Sequence, residues 1–190
     1  VAQYFRLNLF PDPSLVDAVG RADRCSTDVG PHIWYGYTHN FFTPTQAHFF
    51  NNEARALPSH TRVEYPFLLI EFAEAPALSA NLDGPVARCF ENSAPFAKMV
   101  ARLNHLLSKW AMHRTQPVNQ SVFMVAMSTT SARLYVAWYD GDNTIHLSIL
   151  GYFNLEERDE YLRLHRYITK ILVWGGRVRL HELYCALNEL

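Results

Sequence analysis

The chain is short of charge, of cysteine and of long apolar runs, and each shortage removes a class of protein. Only 18% of its residues are Asp, Glu, Lys or Arg, below the roughly 25% usual for soluble domains, and its formal charge is −1. Without a global positive field, any nucleic-acid contact has to come from a local patch. A thinly charged surface also suits a chain that is partnered. The three cysteines, Cys25, Cys89 and Cys185, are odd in number, far apart and in no metal-ligand spacing. That argues against a disulfide framework and a zinc site and for a reducing, intracellular setting, nucleus or cytoplasm. No apolar run approaches the roughly 18 residues of a membrane span, and the N-terminus lacks the layout of a signal peptide. The chain starts at Val1 without a Met, as a trimmed protein would, so a secreted effector acting inside another cell stays open as an alternative. Neither a nucleophile elbow nor a Walker pattern occurs, and Gly36 and the Gly175-Gly176 pair have no phosphate-loop setting. No low-complexity or Gly/Ser-rich break divides the 190 residues, so one domain over 1–190 is expected, behind an irregular lead over about residues 1–13.

What is present is a succession of aromatic and β-branched runs. Pro11-Asp12-Pro13-Ser14 is a breaker followed by a cap and predicts a helix over Leu15 to Cys25. Pro31 to Tyr37 has the composition of a strand. Thr43-Pro44 opens a helix that reaches Leu57 before Pro58 closes it. The centre of the chain is Tyr65 to Glu74: the apolar run after Pro66 reads as a central strand covered on both faces, with Glu71 at its exit. From Pro85 the apolar spacing turns helical through Val86, Cys89 and Phe90 and, past Pro95, through Phe96, Met99, Val100 and Leu103 to Trp110, with Pro95 expected to kink or divide the helix. Ser121 to Met127, Arg133 to Tyr139 and Thr144 to Phe153, joined by Ser128-Thr129-Thr130-Ser131 and Asp140-Gly141-Asp142-Asn143, predict an antiparallel meander. A helix over Leu155 to Trp174 carries the stripe Leu164, Ile168, Ile171 and Leu172, and Gly175-Gly176 should break it before a last helix, Val178 to Leu187. The sum is an α/β or α+β domain with helices around one mixed sheet.

Charged residues are rarely buried without a partner, so Glu71 either points into a site or faces out at the sheet's rim, where Arg88 offers a bidentate partner. Arg163, Arg166 and Lys170, three and four residues apart, share a helix face, with Arg177 and Arg179 following, and form a candidate phosphate-contact stripe. Glu156, Glu157, Asp159 and Glu160 crowd the start of that helix and favour an ordinary solvated amphipathic surface. Trp34, Tyr35, Tyr37, Phe41 and Phe42 are an aromatic stretch suited to core packing first and base stacking second. His105 and His113 lie too far apart on one predicted helix to share a metal.

Several stretches in order bring a family into view: Pro31-His32 opening the strand to Tyr37, Tyr65 to Ala73, and Ala87-Arg88-Cys89 with Ser93-Ala94 and Arg102-Leu103-Asn104. Ala132 to Trp138 and Ile171 to Gly175 add two more landmarks. From about Pro31 to the C-terminus the chain resembles a large fungal family of PD-(D/E)XK nuclease-like domains. The resemblance implies a restriction-endonuclease-like fold, a mixed central sheet with strands around Ile33, Leu69, Phe123 and Tyr135, flanked by helices, with His32 and Glu71 on neighbouring strand ends. Such nucleases hold a hard divalent metal with an Asp and a Glu and orient the attacking water with a Lys. Here the Asp position is His32, the Lys position is Ala73, and a Gln at the start of the next helix is Arg88, so only Glu71 survives. Imidazole suits magnesium poorly and alanine can neither bind nor orient. The resemblance therefore implies a catalytically degenerate domain without cofactor, kept as a binding module, with a protein partner ahead of DNA or RNA and no membrane role. The alternative is a working metal-dependent nuclease, using magnesium, manganese or a softer metal, with a site rewired through His32, Glu71 and Arg88.

Overall fold

The computed structural model describes residues 19–26, 30–38, 41–44, 46, 63–73, 81–110, 116–140 and 144–190. Most of the helix expected over Pro44 to Leu57 lies outside them. Six strands form one sheet in sequence order, β1 to β6. The first, β1 (Val19–Ser26), corrects the helix expected over Leu15 to Cys25. It pairs antiparallel with β2 (Gly30–Thr38) along its whole length, from Val19↔Tyr37 to Ser26↔Gly30. A cap is a local signal, and a sheet partner a few residues downstream overrides it.

The third strand, β3 (Val63–Phe72), pairs antiparallel with β2 and parallel with β4 (Val122–Met127). A parallel pair needs a crossover, and helix α1 (Asp83–Trp110) supplies it. Its first turn is capped by Asn81, whose Oδ1 accepts from Asp83 N at 2.8 Å. Pro95 lies inside α1 without dividing it. β5 (Ser131–Tyr139) and β6 (Ile145–Asn154) complete the expected antiparallel meander. Ser128 Oγ ties its first turn by accepting from Thr130 N and Ser131 N.

Helix α2 (Arg158–Trp174) follows. Gly175-Gly176 does not break it: the backbone runs on through a π-helical turn, Gly175–Arg179, into α3 (Leu180–Asn188). α1 packs on β3, β4 and β5. Its Phe90 meets Tyr135 edge to face, while Trp174 of α2 meets Phe123, a residue of opposite strand parity. Side chains alternate across a strand, so α1 and α2 cover opposite faces of a mixed sheet. One hydrophobic core joins both layers, from Tyr35, Leu68 and Ile70 to Leu164, Ile168 and Leu183. Among the described residues no helix is long and apolar enough to cross a membrane.

The start of β3 is irregular for reasons written in three residues. The register with β2 shifts between Tyr35 and Tyr37, and Gly36 sits where a Cβ would come within 2.6 Å of Glu64 O. Tyr65 adopts φ +45°, a left-handed conformation that costs a non-glycine residue about 1–2 kcal/mol. Pro66, which has no N–H to give a ladder, falls before the parallel pairing with β4 begins at Leu68, as a strand proline should.

Candidate functional site at the exit of the third strand

Glu71 emerges from β3 on the face covered by α1 and is completely buried. Its Oε1 accepts from Asn92 Nδ2 at 3.0 Å and its Oε2 from Arg88 Nε at 3.3 Å. Arg88 and Asn92 are four residues apart on α1 and so share a face of the helix. Arg88 is pinned a second time, its Nη2 donating to Phe72 O at 2.7 Å. Burial pushes the Glu71 carboxyl up to about 7, against the pull of Asn92, Arg88 and the Trp34 indole, all of which favour the ionised form. Desolvation outweighs the partners, so near neutral pH the group is divided between its two protonation states. Cys89, between the two helix partners in sequence, is buried beside the carboxyl, and burial raises its thiol well above its ordinary value. It is not an activated nucleophile.

The backbone brings the other positions singled out by the resemblance to the same place. His32 on β2 is the direct register partner of Glu71. Ala73 follows two residues beyond Glu71, and its N–H donates to Met127 O at 2.8 Å, which extends the pairing with β4 by one step. Positions 32, 71, 73 and 88 therefore adjoin. Positions 71, 73 and 88 present one carboxylate whose two oxygens already accept N–H donors, a methyl group, and a guanidinium held on that carboxylate. This donor set does not fit a hard divalent cation, which takes six or more oxygen ligands. Among the described residues no group of three or more His, Cys, Asp or Glu is arranged to hold a metal ion.

The basic stripe is less available than its spacing implies. Arg163 is spent within the protein: it pairs with Glu160 at 2.7 Å, donates to Tyr152 O at 2.9 Å, and lies over the Phe153 ring at 4.9 Å. Arg166, Lys170 and Arg177 are exposed, on the helix that covers the opposite face of the sheet from Glu71. A single nucleic-acid backbone would have to wrap the sheet edge to touch both. Arg179 does not continue the stripe at all, being fully buried. Its Nη1 donates to Tyr65 O at 3.3 Å, and its guanidinium lies 5.7 Å from the Phe67 ring centre and 5.8 Å from that of Trp174. Beside it, Tyr37 donates its hydroxyl to Gly175 O at 2.9 Å.

Sequence reasoning placed Arg179 at the end of the exposed stripe; its burial follows from the backbone winding on through Gly175-Gly176 in a π-helical turn, where the sequence reads a break. The aromatic stretch went to the core: Trp34, Tyr35, Tyr37 and Phe42 are buried and only Phe41 is exposed. Comparison with protein-family models, with curated proteins and with solved structures finds no match for the chain.

Proposed function

We propose that this chain is a catalytically degenerate PD-(D/E)XK nuclease-like domain that works as a binding module, with a protein partner rather than a nucleic acid. The observation that carries the reading is the state of Glu71: buried, with both oxygens accepting from Arg88 and Asn92 and with Ala73 where an ammonium would orient water. The pairing of His32 with Glu71 across β2 and β3, and the mixed sheet covered on both faces, support the restriction-endonuclease-like arrangement. The separation of Glu71 from Arg166, Lys170 and Arg177 by the thickness of the sheet favours protein over nucleic acid, as does the low charge content. A rewired nuclease would need Arg88 to leave both Glu71 and Phe72 O before substrate could enter. Its guanidinium could stabilise charge, but it cannot accept a proton from water.

The test is an assay of the purified chain against single- and double-stranded DNA and RNA with magnesium, manganese and zinc, beside calorimetric titration of magnesium. No cleavage and no magnesium binding at Glu71 are expected. The triple variant His32→Asp, Ala73→Lys, Arg88→Gln restores two oxygen ligands and an ammonium at adjoining positions and should gain metal-dependent cleavage. Hydrolysis by the unaltered chain that Glu71→Gln abolishes, or a micromolar magnesium affinity lost in the same variant, would overturn the reading. Tight binding of an oligonucleotide that weakens steeply with salt would instead reverse the choice of partner.

A further inference from the structure

The sixth strand is an edge of the sheet among the described residues. Among the described residues β6 pairs with β5 alone, and from Thr144 to Leu155 the sequence contains no Asp, Glu, Lys, Arg or Pro. Those are the residues by which proteins keep an edge strand from pairing with another chain. Two other features do restrict this edge, both near its C-terminal end. The register with β5 shifts between Leu134 and Tyr135, which leaves Leu150 without an opposite residue, and Arg163 donates to Tyr152 O. The regular stretch of edge is thus Ile145–Ile149, opposite Tyr139 to Tyr135.

Along that stretch Ile145, Leu147 and Ile149 share one face, the face of Tyr135 and hence of α1. Since α1 packs on β3, β4 and β5, the row runs out beyond its cover: Ile145 packs partly against the core, while Leu147 is 38% and Ile149 45% exposed. On the other face His146 is engaged within the chain, stacking on Trp138 at 5.4 Å and pairing with Asp140.

We propose that two copies of this chain pair antiparallel along Ile145–Ile149, about a two-fold axis at Leu147, joining their sheets edge to edge. The occupant is argued from the strand itself. Ile-His-Leu-Ser-Ile presents the same apolar order, Ile, Leu, Ile, in both directions. In this register Leu147 meets Leu147 of the second copy, and Ile145 meets Ile149 at both ends. A strand with no Asp, Glu, Lys or Arg brings no like charges together when it pairs with itself, whereas it gives a charged peptide nothing to complement. A contact of five residues a side buries on the order of a few hundred Å², well below the roughly 1,200 Å² at which specific interfaces begin, so the dimer is weak and forms only at high concentration. The proposal does not depend on the nuclease-like reading.

Sedimentation equilibrium across a wide concentration range tests it. The unaltered chain should show a monomer–dimer equilibrium. Leu147→Glu and Leu147→Lys, each placing like charges against each other at the axis, should each weaken the dimer at least about tenfold with an unchanged melting curve. An equimolar mixture of the two variants should restore the dimer, because opposite charges then meet at the one position that faces itself. If a charged variant fails to fold, Leu147→Thr, which keeps a strand-forming residue, takes its place and must still weaken the dimer. A chain that stays monomeric at the highest concentration, a dimer that survives both charged variants, or a mixture that fails to recover would each overturn the proposal.

Discussion

Among the described residues one carboxyl and one guanidinium are completely buried, Glu71 and Arg179, and the fold treats them in opposite ways. Glu71 has a formal counter-charge, Arg88, and an amide, Asn92, both supplied by one face of α1. Arg179 has no carboxylate within ion-pair distance among the described residues. It is held by one carbonyl, Tyr65 O, and by the faces of Phe67 and Trp174, with the Tyr37 hydroxyl and the charge of Glu182 also favouring its ionised form, and its Nε and Nη2 find no hydrogen-bond acceptor among the described residues. Burial weakens the charged form of both, pushing the Glu71 carboxyl up and the Arg179 guanidinium down. The first group can answer by taking up a proton near pH 7; a guanidinium stays charged over the working range. The first region is therefore a place where ionisation is negotiable. The second is a packing device that fastens the π-helical turn to the strained start of β3.

Gly175 should give the largest effect, because that device depends on close approach. A Cβ there would overlap the Phe67 ring, and Phe67 cannot retreat, being fully buried between Tyr37 and Trp174. Gly175→Ala is expected to cost about 3 kcal/mol or more, read as a fall in urea midpoint. A loss under about 1 kcal/mol would mean that the turn can move and that the second region is not rigid.

The same substitution made in each region sharpens the contrast. Arg88→Met leaves the buried carboxylate with neutral donors, Asn92 and the Trp34 indole, and no counter-charge, and should cost about 3 kcal/mol at pH 8, where removing one partner of a buried pair is expensive. The cost should shrink as the pH falls. Unfolded, Glu71 is an ordinary carboxylate with a value of 4.5, and folded it titrates at about 7. The folded protein thus holds an extra proton between those values, and its stability declines as the pH rises through that window. Losing Arg88 raises the folded value further, so the variant's penalty is greatest above pH 7 and smallest near pH 5. A penalty independent of pH would show that Arg88 acts by packing and not by charge.

Arg179→Met should have the smallest effect, within about 1 kcal/mol of the unaltered chain in either direction. A thioether fills similar space between the two rings, and the loss of one carbonyl contact is offset by no longer burying a charge. A loss as large as that of Arg88→Met would show that ring faces and one carbonyl hold a buried cation as firmly as a carboxylate does, and the two regions would then be alike.

The sequence by itself determined the elements that rest on short-range pattern. Those are the apolar run carrying Glu71, the helix expected from Pro85 to Trp110, the three-strand meander with its first turn, and the stripe on the helix to Trp174. One of its two readings of Glu71 also paired it with Arg88, since an unpaired buried carboxylate is costly. Only the tertiary structure decided the rest. Ser14 signals a helix, yet Val19–Ser26 is a strand because β2 offers it a full ladder, and a ladder is a property of two segments. Asn92 joins Glu71 only because α1 crosses the sheet at that point. Gly175-Gly176 reads as a stop, yet the helix winds on through it, since Phe67 requires a residue without Cβ there and the surrounding core supplies what local propensity withholds. Arg179 reads as the end of a solvated stripe until the wide turn seats it against Tyr65 O. Periodicity reports which residues face the same way along one segment, and it carries no information about which other segment they will meet.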